Sequence, residues 1–430
     1  MKRSLRIAVW HNLPSGGGMR AYHDQIRGLA ARGHHVEVWC PTTADRTFLP
    51  LDGLVATHIH PFEWKPTAYR GGIRGLLDPY NDLSTKLAAM DRHCLSCANE
   101  IAEGGFDVLF AHPCMFFRTS PIAKYVKIPS CLYLQEPYRW LYEALPRLPW
   151  AAPPPAAGRP NIRYLKDYLK DLVITQALRL QVREELAWAT AFDTLLVNSY
   201  FSRESVLRAY NLDSRVCYLG VDTKAFHPLG ESKERYVIGL GNIYDNKGIA
   251  LALTAIGTIE KSSRPPLVWV GNSAHPEYLA RIYRLAEKLN VQFTTLVMVS
   301  HEELIDLLGK AAVMIYTSRL EPFGYAPLEA NACGTAVVAV SEGGVRETIR
   351  DGINGKLVGD ADPEALGKMV QAYTDDLERA KHEGLKARSF IENSWTLESA
   401  IDRLEERLTD HCTQGYLSKP TDWLMVGMPD

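Results

Sequence analysis

A chain of 430 residues is long enough for two domains or more. Its 46% hydrophobic and 23% charged content is that of a globular protein, and no apolar run reaches the ~18 residues of a membrane span. A net charge of −2 excludes generic nucleic-acid binding, and eight Cys in so long a chain do not make a secreted disulfide framework. The apolar run in Met1 to Trp10 is too short for a signal peptide. The expectation is a cytoplasmic protein, compatible with peripheral contact on the inner face of a membrane.

Apolar strands alternate with amphipathic helices from end to end. Leu5 to Trp10 reads as a first strand, Arg20 to Arg32 as a helix closed by Gly33, and His35 to Trp39 as the next strand. Phe106 to Ala111, Ser130 to Leu134 and Asp193 to Val197 continue the series. Leu145 to Pro160 is a long irregular stretch, and Tyr164 to Ala191 a long helical pattern. The rhythm restarts with Arg235 to Leu240, then Leu267 to Val270, Gln292 to Leu296, Val313 to Tyr316 and Ala336 to Val340. Trp395 to Leu408 carries a final helical period, and Lys419 to Asp430 reads as a tail. The fold class is α/β, two Rossmann-like doubly wound domains with an interdomain cleft. The expected division is residues 1–221, residues 222–394, and a terminal helix and tail at 395–430. Through Asp222 the chain holds 26 Lys+Arg against 21 Asp+Glu, and beyond it 22 against 29. A basic first half suits an anionic ligand or surface.

The densest chemistry lies in Glu321-Pro-Phe-Gly-Tyr-Ala-Pro-Leu-Glu329. Pro327 suits the first turn of a helix, which leaves Glu321 in the preceding loop and Glu329 in the first turns. Amides around Phe323, Gly324 and Tyr325 then form an anion site between two carboxylates. Such a layout fits a ligand with hydroxyls at both ends and phosphates between. Ser15-Gly-Gly-Gly-Met19 joins the first strand to the first helix, and Gly16, Gly17 and Gly18 let backbone approach a ligand closely. His11 and Asn12 end that strand. Gly241-Asn-Ile-Tyr-Asp-Asn-Lys247-Gly248 fills the equivalent turn of the second series. His93-Cys94-Leu-Ser-Cys97 is one-turn helical spacing, and no other Asp, His or Cys spacing makes a metal site. Trp64 to Leu77 interleaves aromatics with Lys65, Arg70 and Arg74, a composition able to grip carbohydrate, lipid phosphate or a membrane surface.

The Glu321 to Val338 segment resembles the donor-site motif of retaining glycosyltransferases of the GT-B fold, family 4, with Pro-Phe-Gly after the first Glu and Ala332-Cys-Gly-Thr335 after the second. The resemblance implies transfer of a sugar from a nucleotide diphosphate sugar, UDP or GDP, to a glycan, glycolipid or other hydroxyl acceptor, without cofactor or metal. It places Glu321 at the sugar, Glu329 at the ribose, and Lys247 with the glycine loop at the diphosphate. Leu219 to Pro228 resembles the interdomain linker. Two positions depart from the pattern. Asn242 stands where the family has a second cation, Arg. Gln135, in Tyr133-Leu-Gln-Glu-Pro-Tyr-Arg-Trp140, stands where many members carry His near the reacting sugar. Gln cannot titrate, so it can only hydrogen-bond. Glu136 and His112 are the neighbouring ionisable candidates. The expected partners are a nucleotide-sugar donor and a carbohydrate or lipid-linked acceptor. A non-catalytic nucleotide-sugar-binding subunit, or a GT-B epimerase or phosphorylase, are the alternatives.

Overall fold

The computed structural model describes residues 3–68, 75–144, 148–152, 162–230 and 232–413. The chain forms two compact units. One comprises Met1–Val197, Arg203–Val216 and Arg403–Asp430, and the other Asn198–Ser202 and Cys217–Asp402.

The first unit runs β1 (Arg6–Asn12), α1 (Gly17–Ala31), β2 (His35–Pro41), β3 (Ala56–His60), α2 (Asp78–Glu103), β4 (Val108–Cys114), β5 (Ser130–Gln135), α3 (Arg139–Tyr142), α4 (Ile162–Ala191) and β6 (Thr194–Val197). The helix α5 (Tyr200–Tyr210) follows, then β7 (Arg215–Val216). Among the described residues its sheet is wholly parallel, in the order β3-β2-β1-β4-β5-β6-β7. Parallel strands covered on both faces read as unbroken apolar runs, as β4 does, every residue of which is buried. Trp10, Trp39, Met90, Phe106, Leu132 and Trp188 belong to its core. The edge strand β3 is short and largely exposed, and a Thr and two His among its five residues hid it from the sequence pattern. It is held by a chain of carboxylate–imidazole contacts. Glu37 binds His35 and His58, and Glu100 binds His58 and His60, at 2.6 to 2.8 Å.

The second unit holds β8 (Glu234–Leu240), α6 (Ile249–Thr258), β9 (Leu267–Gly271), α7 (Pro276–Leu289), β10 (Phe293–Val297), α8 (His301–Lys310), β11 (Ala311–Tyr316) and α9 (Tyr325–Ala332). It continues with β12 (Val337–Val340), α10 (Val345–Thr348), β13 (Gly355–Val358), α11 (Pro363–Thr374), α12 (Leu377–Ser394) and α13 (Leu397–Thr413), whose last turns, from Arg403, fall in the first unit. Its sheet is also parallel, β10-β9-β8-β11-β12-β13. In each sheet the first strand sits where the winding direction reverses, between β1 and β4 and between β8 and β11. Crevices at the carboxyl ends of such strand pairs are where open α/β sheets bind ligands.

Two boundaries differ from the sequence reading. Helix α1 starts at Gly17, not Arg20, because Gly17 and Gly18 already form its first turn. Trp395 is not helical in α13. It closes α12, and Thr396 Oγ1 starts α13 by accepting from Ser399 N at 3.2 Å. Within Leu145 to Pro160 only residues 148–152 are described, and Arg70, Arg74 and Lys419 to Asp430 also lie outside the described residues.

Candidate functional site

In the second unit the switch point brings Lys247 and Glu321 together. Lys247 ends a single 3-10 turn after β8, and Glu321 lies five residues beyond β11. Lys247 Nζ donates to Glu321 Oε2 at 2.8 Å, with both side chains about one-fifth exposed. Each partner is fixed by glycine. Gly248 has φ 70°, and a Cβ there would stand 2.1 Å from the Thr317 carbonyl oxygen at the end of β11. Thr317 Oγ1 donates to Gly248 O at 2.9 Å, so the Lys247 turn is strapped to the neighbouring strand. On the other side, Gly344 N donates to Glu321 O at 2.8 Å, and a Cβ on Gly344 would stand 2.1 Å from Pro322 O. Ser199 Oγ donates to the same Pro322 carbonyl. Leu320, just before Glu321, is left-handed at φ 48°, a conformation that costs a non-glycine residue energy and is kept where the surroundings enforce it.

Helix α9 begins at Tyr325 behind Gly324, whose φ of 99° needs glycine and whose N-cap supplies no side-chain acceptor. Pro327 lies in the first turn. Glu329 is buried in the second turn, and Glu321 is in the loop before the helix. Burial, and then the Glu329 carboxylate, push the Cys333 thiol up to about 12. Asn242 does not act as a second cation would. Its Oδ1 accepts from Asn272 N at 3.2 Å, joining the turns after β8 and β9. Arg319, unremarked in the sequence, is the cation on the strand-end side of Glu321, and its Nε donates to Glu342 at 2.6 Å.

In the first unit, Gly16 has φ 134°, and a Cβ on Gly16 or Gly17 would meet nothing within 4 Å. Gly18 instead touches Gln135: a Cβ there would stand 3.3 Å from Gln135 Oε1. Gln135 ends β5 at φ 65°, and its Nε2 is enclosed without a protein hydrogen-bond partner. A strained residue with an unsatisfied donor beside a glycine loop is the mark of a ligand position. Glu136 points to cations, 3.5 Å from Arg118 Nη2 and 3.6 Å from Arg139 Nε.

Asn12 ties the ends of β1 and β4, donating to Cys114 Sγ and accepting from Thr43 Oγ1. His11 stacks on Tyr22 at 4.2 Å, and burial lowers its pKa to about 3. His112 is fully enclosed by Tyr22, Phe110 and Tyr133, and neither ring nitrogen has a protein partner. Burial, and then His11, hold it neutral, so acid–base work near neutral pH is closed to it. Among the described residues no group of three or more His, Cys, Asp or Glu could hold a metal ion.

The chain is similar to known proteins. Residues 221–390 match the family described as glycosyl transferases group 1. D-inositol 3-phosphate glycosyltransferase 1 of Catenulispora acidiphila is 29% identical over 222 residues, 46% of this chain and 52% of that protein, so the chain spans about half of that relative's length. D-inositol 3-phosphate glycosyltransferase of Mycolicibacterium smegmatis is 26% identical over 387 residues, 84% of this chain and 79% of that protein. The crystal structure of Anabaena HepE in complex with UDP and glucose superposes with a TM-score of 0.64 at 16% identity, covering 94% of this chain and 99% of that one. The two parallel, doubly wound sheets are those of the GT-B fold, and the second unit carries the match to the group 1 glycosyl transferases.

Proposed function

We propose that the protein moves a sugar, with retention of anomeric configuration, from a UDP- or GDP-sugar to a hydroxyl of a carbohydrate or lipid-linked acceptor on the cytoplasmic side of a membrane. The observation that carries this reading is the Lys247–Glu321 pair at the switch point of the second sheet, beside the open start of α9. Lys247 takes the diphosphate, and the amides of Phe323, Gly324 and Tyr325 share its charge. Glu321 accepts from sugar hydroxyls, and Glu329 from the ribose diol. In the first unit, Gly16 to Gly18 and Gln135 receive the acceptor, with the Gln135 Nε2 donating. No side chain there need take the acceptor proton, because the leaving phosphate oxygen can accept it. The charge of that phosphate is met by an ammonium and amides, so the reaction runs without metal or cofactor. The complex of HepE with UDP and glucose supports a UDP donor.

Asn242 favours a second reading, a nucleotide-sugar-binding subunit without turnover, since one diphosphate cation is missing and its replacement is occupied with Asn272. Thermal-shift screening with UDP-, GDP-, ADP- and dTDP-sugars identifies the donor by mass-action stabilisation. Release of nucleotide on adding acceptor then separates transfer from binding alone. Glu329→Ala should weaken nucleotide binding along with turnover, and undiminished affinity would sink its assignment.

A further inference from the structure

Helix α4 wears its amphipathic pattern inside out at one end. From Ala177 onward its buried side is Leu178, Gln181, Glu185 and Trp188. Traced back along the same helical face, that side reaches Ile174, Asp171 and Tyr164, all partly covered. The opposite face begins with Ile162, Leu165, Leu169 and Leu172, exposed by 88, 55, 41 and 46%. Farther along, the same outward face turns polar, with Gln176, Arg179 and Arg183 exposed. A helix that only packed on its own core would place leucines inward and lysines outward along its whole length. Here three turns put leucines outward as well, and exposed contiguous leucines on a helix mark an interaction surface.

The flanks say what covers it. Lys166 and Lys170 border the apolar stripe on one side, and Tyr168, 45% exposed, borders it on the other. Asp167 and Asp171 lie away from the stripe, and Arg183 is held by Glu184 at 2.6 Å. Apolar stripe, lysine flank, tyrosine flank and acids behind is the order of a helix lying in a lipid–water interface. A second copy fits less well. In a two-fold antiparallel pair the same flank of each helix meets its copy, so lysine would face lysine.

We propose that residues 162–172 of α4 lie in an anionic membrane surface, the leucines below the headgroups and Lys166 and Lys170 among them. This goes beyond the transfer reading and does not depend on it. The test is co-sedimentation of the whole protein with vesicles of phosphatidylcholine alone or mixed with phosphatidylglycerol. The parent should bind the mixed vesicles and bind the neutral ones at least about tenfold more weakly. Leu165→Glu with Leu169→Glu should lower the bound fraction about tenfold at unchanged melting temperature, and Leu165→Ser with Leu169→Ser gives the same reading if the charges disturb folding. Lys166→Glu with Lys170→Glu should erase the preference for anionic lipid. Absent binding, equal binding to both vesicles, or unaltered binding by the leucine variants would overturn the proposal. So would a dimer, seen by light scattering without lipid, that the leucine variants dissociate.

Discussion

Two side chains decide whether the site is chemical or only structural. Lys247 pairs with Glu321 at partial exposure, where an ion pair contributes only about 1 kcal/mol or less to stability. Lys247→Ala should therefore hardly move the melting temperature. Turnover should fall by about 100-fold or more if the ammonium meets a developing phosphate charge. Equal, modest losses in both would mark a structural pair. Glu185 gives a test independent of function. It is buried on α4, accepting from Gln181 Nε2 and Tyr210 OH, and burial raises its pKa to about 7. A raised carboxylate keeps its proton in the folded state while the unfolded chain, near 4.5, has lost it. Stability from this group is therefore full below the unfolded value and declines as pH rises to about 7. Glu185→Gln should leave the melting temperature near pH 4.5 unchanged and raise stability at pH 8 by up to about 3 kcal/mol. A pH-independent effect would show that Glu185 ionises freely. At this scale the sequence was legible for placement: Glu321 in the loop before α9, Glu329 in its first turns, and Lys247 in the turn after β8. It was silent on Gln135 φ, on the enclosure of His112, and on Asn272 occupying Asn242, because each depends on what another segment places alongside.

Elements show how the chain holds such residues in place. The Glu321 loop has no regular structure of its own and is clamped by Gly343 and Gly344. Gly344→Ala puts a Cβ 2.1 Å from Pro322 O, so the loop must move. We expect a loss of about 2 kcal/mol or more in chemical unfolding, with turnover falling further than stability. Gly17→Ala meets nothing within 4 Å and should leave stability unchanged. Reduced turnover in that variant would show that a ligand comes close to the loop, while normal turnover would show that the loop is only a turn. Continuous apolar strands such as β4 and β11 were readable from composition. β3, β7 and β13 were not, being short or polar at the sheet edge, where alternation is weak. The starts of α1 and α13 were misplaced because a glycine turn and a threonine cap set them, and neither shows as apolar periodicity.

For the whole molecule, repetition made the fold legible: two series of parallel strands, each starting with a strand that becomes the reversal point of its sheet. Strand order itself is not written in any one segment, so which strand ends would meet could be expected only by analogy. If ammonium and amides carry the phosphate charge, EDTA should leave turnover intact, and restoration of lost activity by Mg²⁺ or Mn²⁺ would overturn this. The Lys247–Glu321 pair has a further effect on the choice of ligand. At rest the ammonium already has a tethered counter-ion, present at far higher local concentration than any solute. Inorganic phosphate, sulfate or a bare nucleotide must displace that carboxylate and leave it without its partner. On the proposed donor placement, a sugar nucleotide instead offers phosphate to the lysine and hydroxyls to the glutamate at once, so both halves of the pair are re-satisfied. On that placement the site would screen out simple anions before any contact with the base is made. Glu321→Gln should lift the screen, making sulfate a better inhibitor of nucleotide binding while the sugar nucleotide loses its advantage over the nucleotide alone.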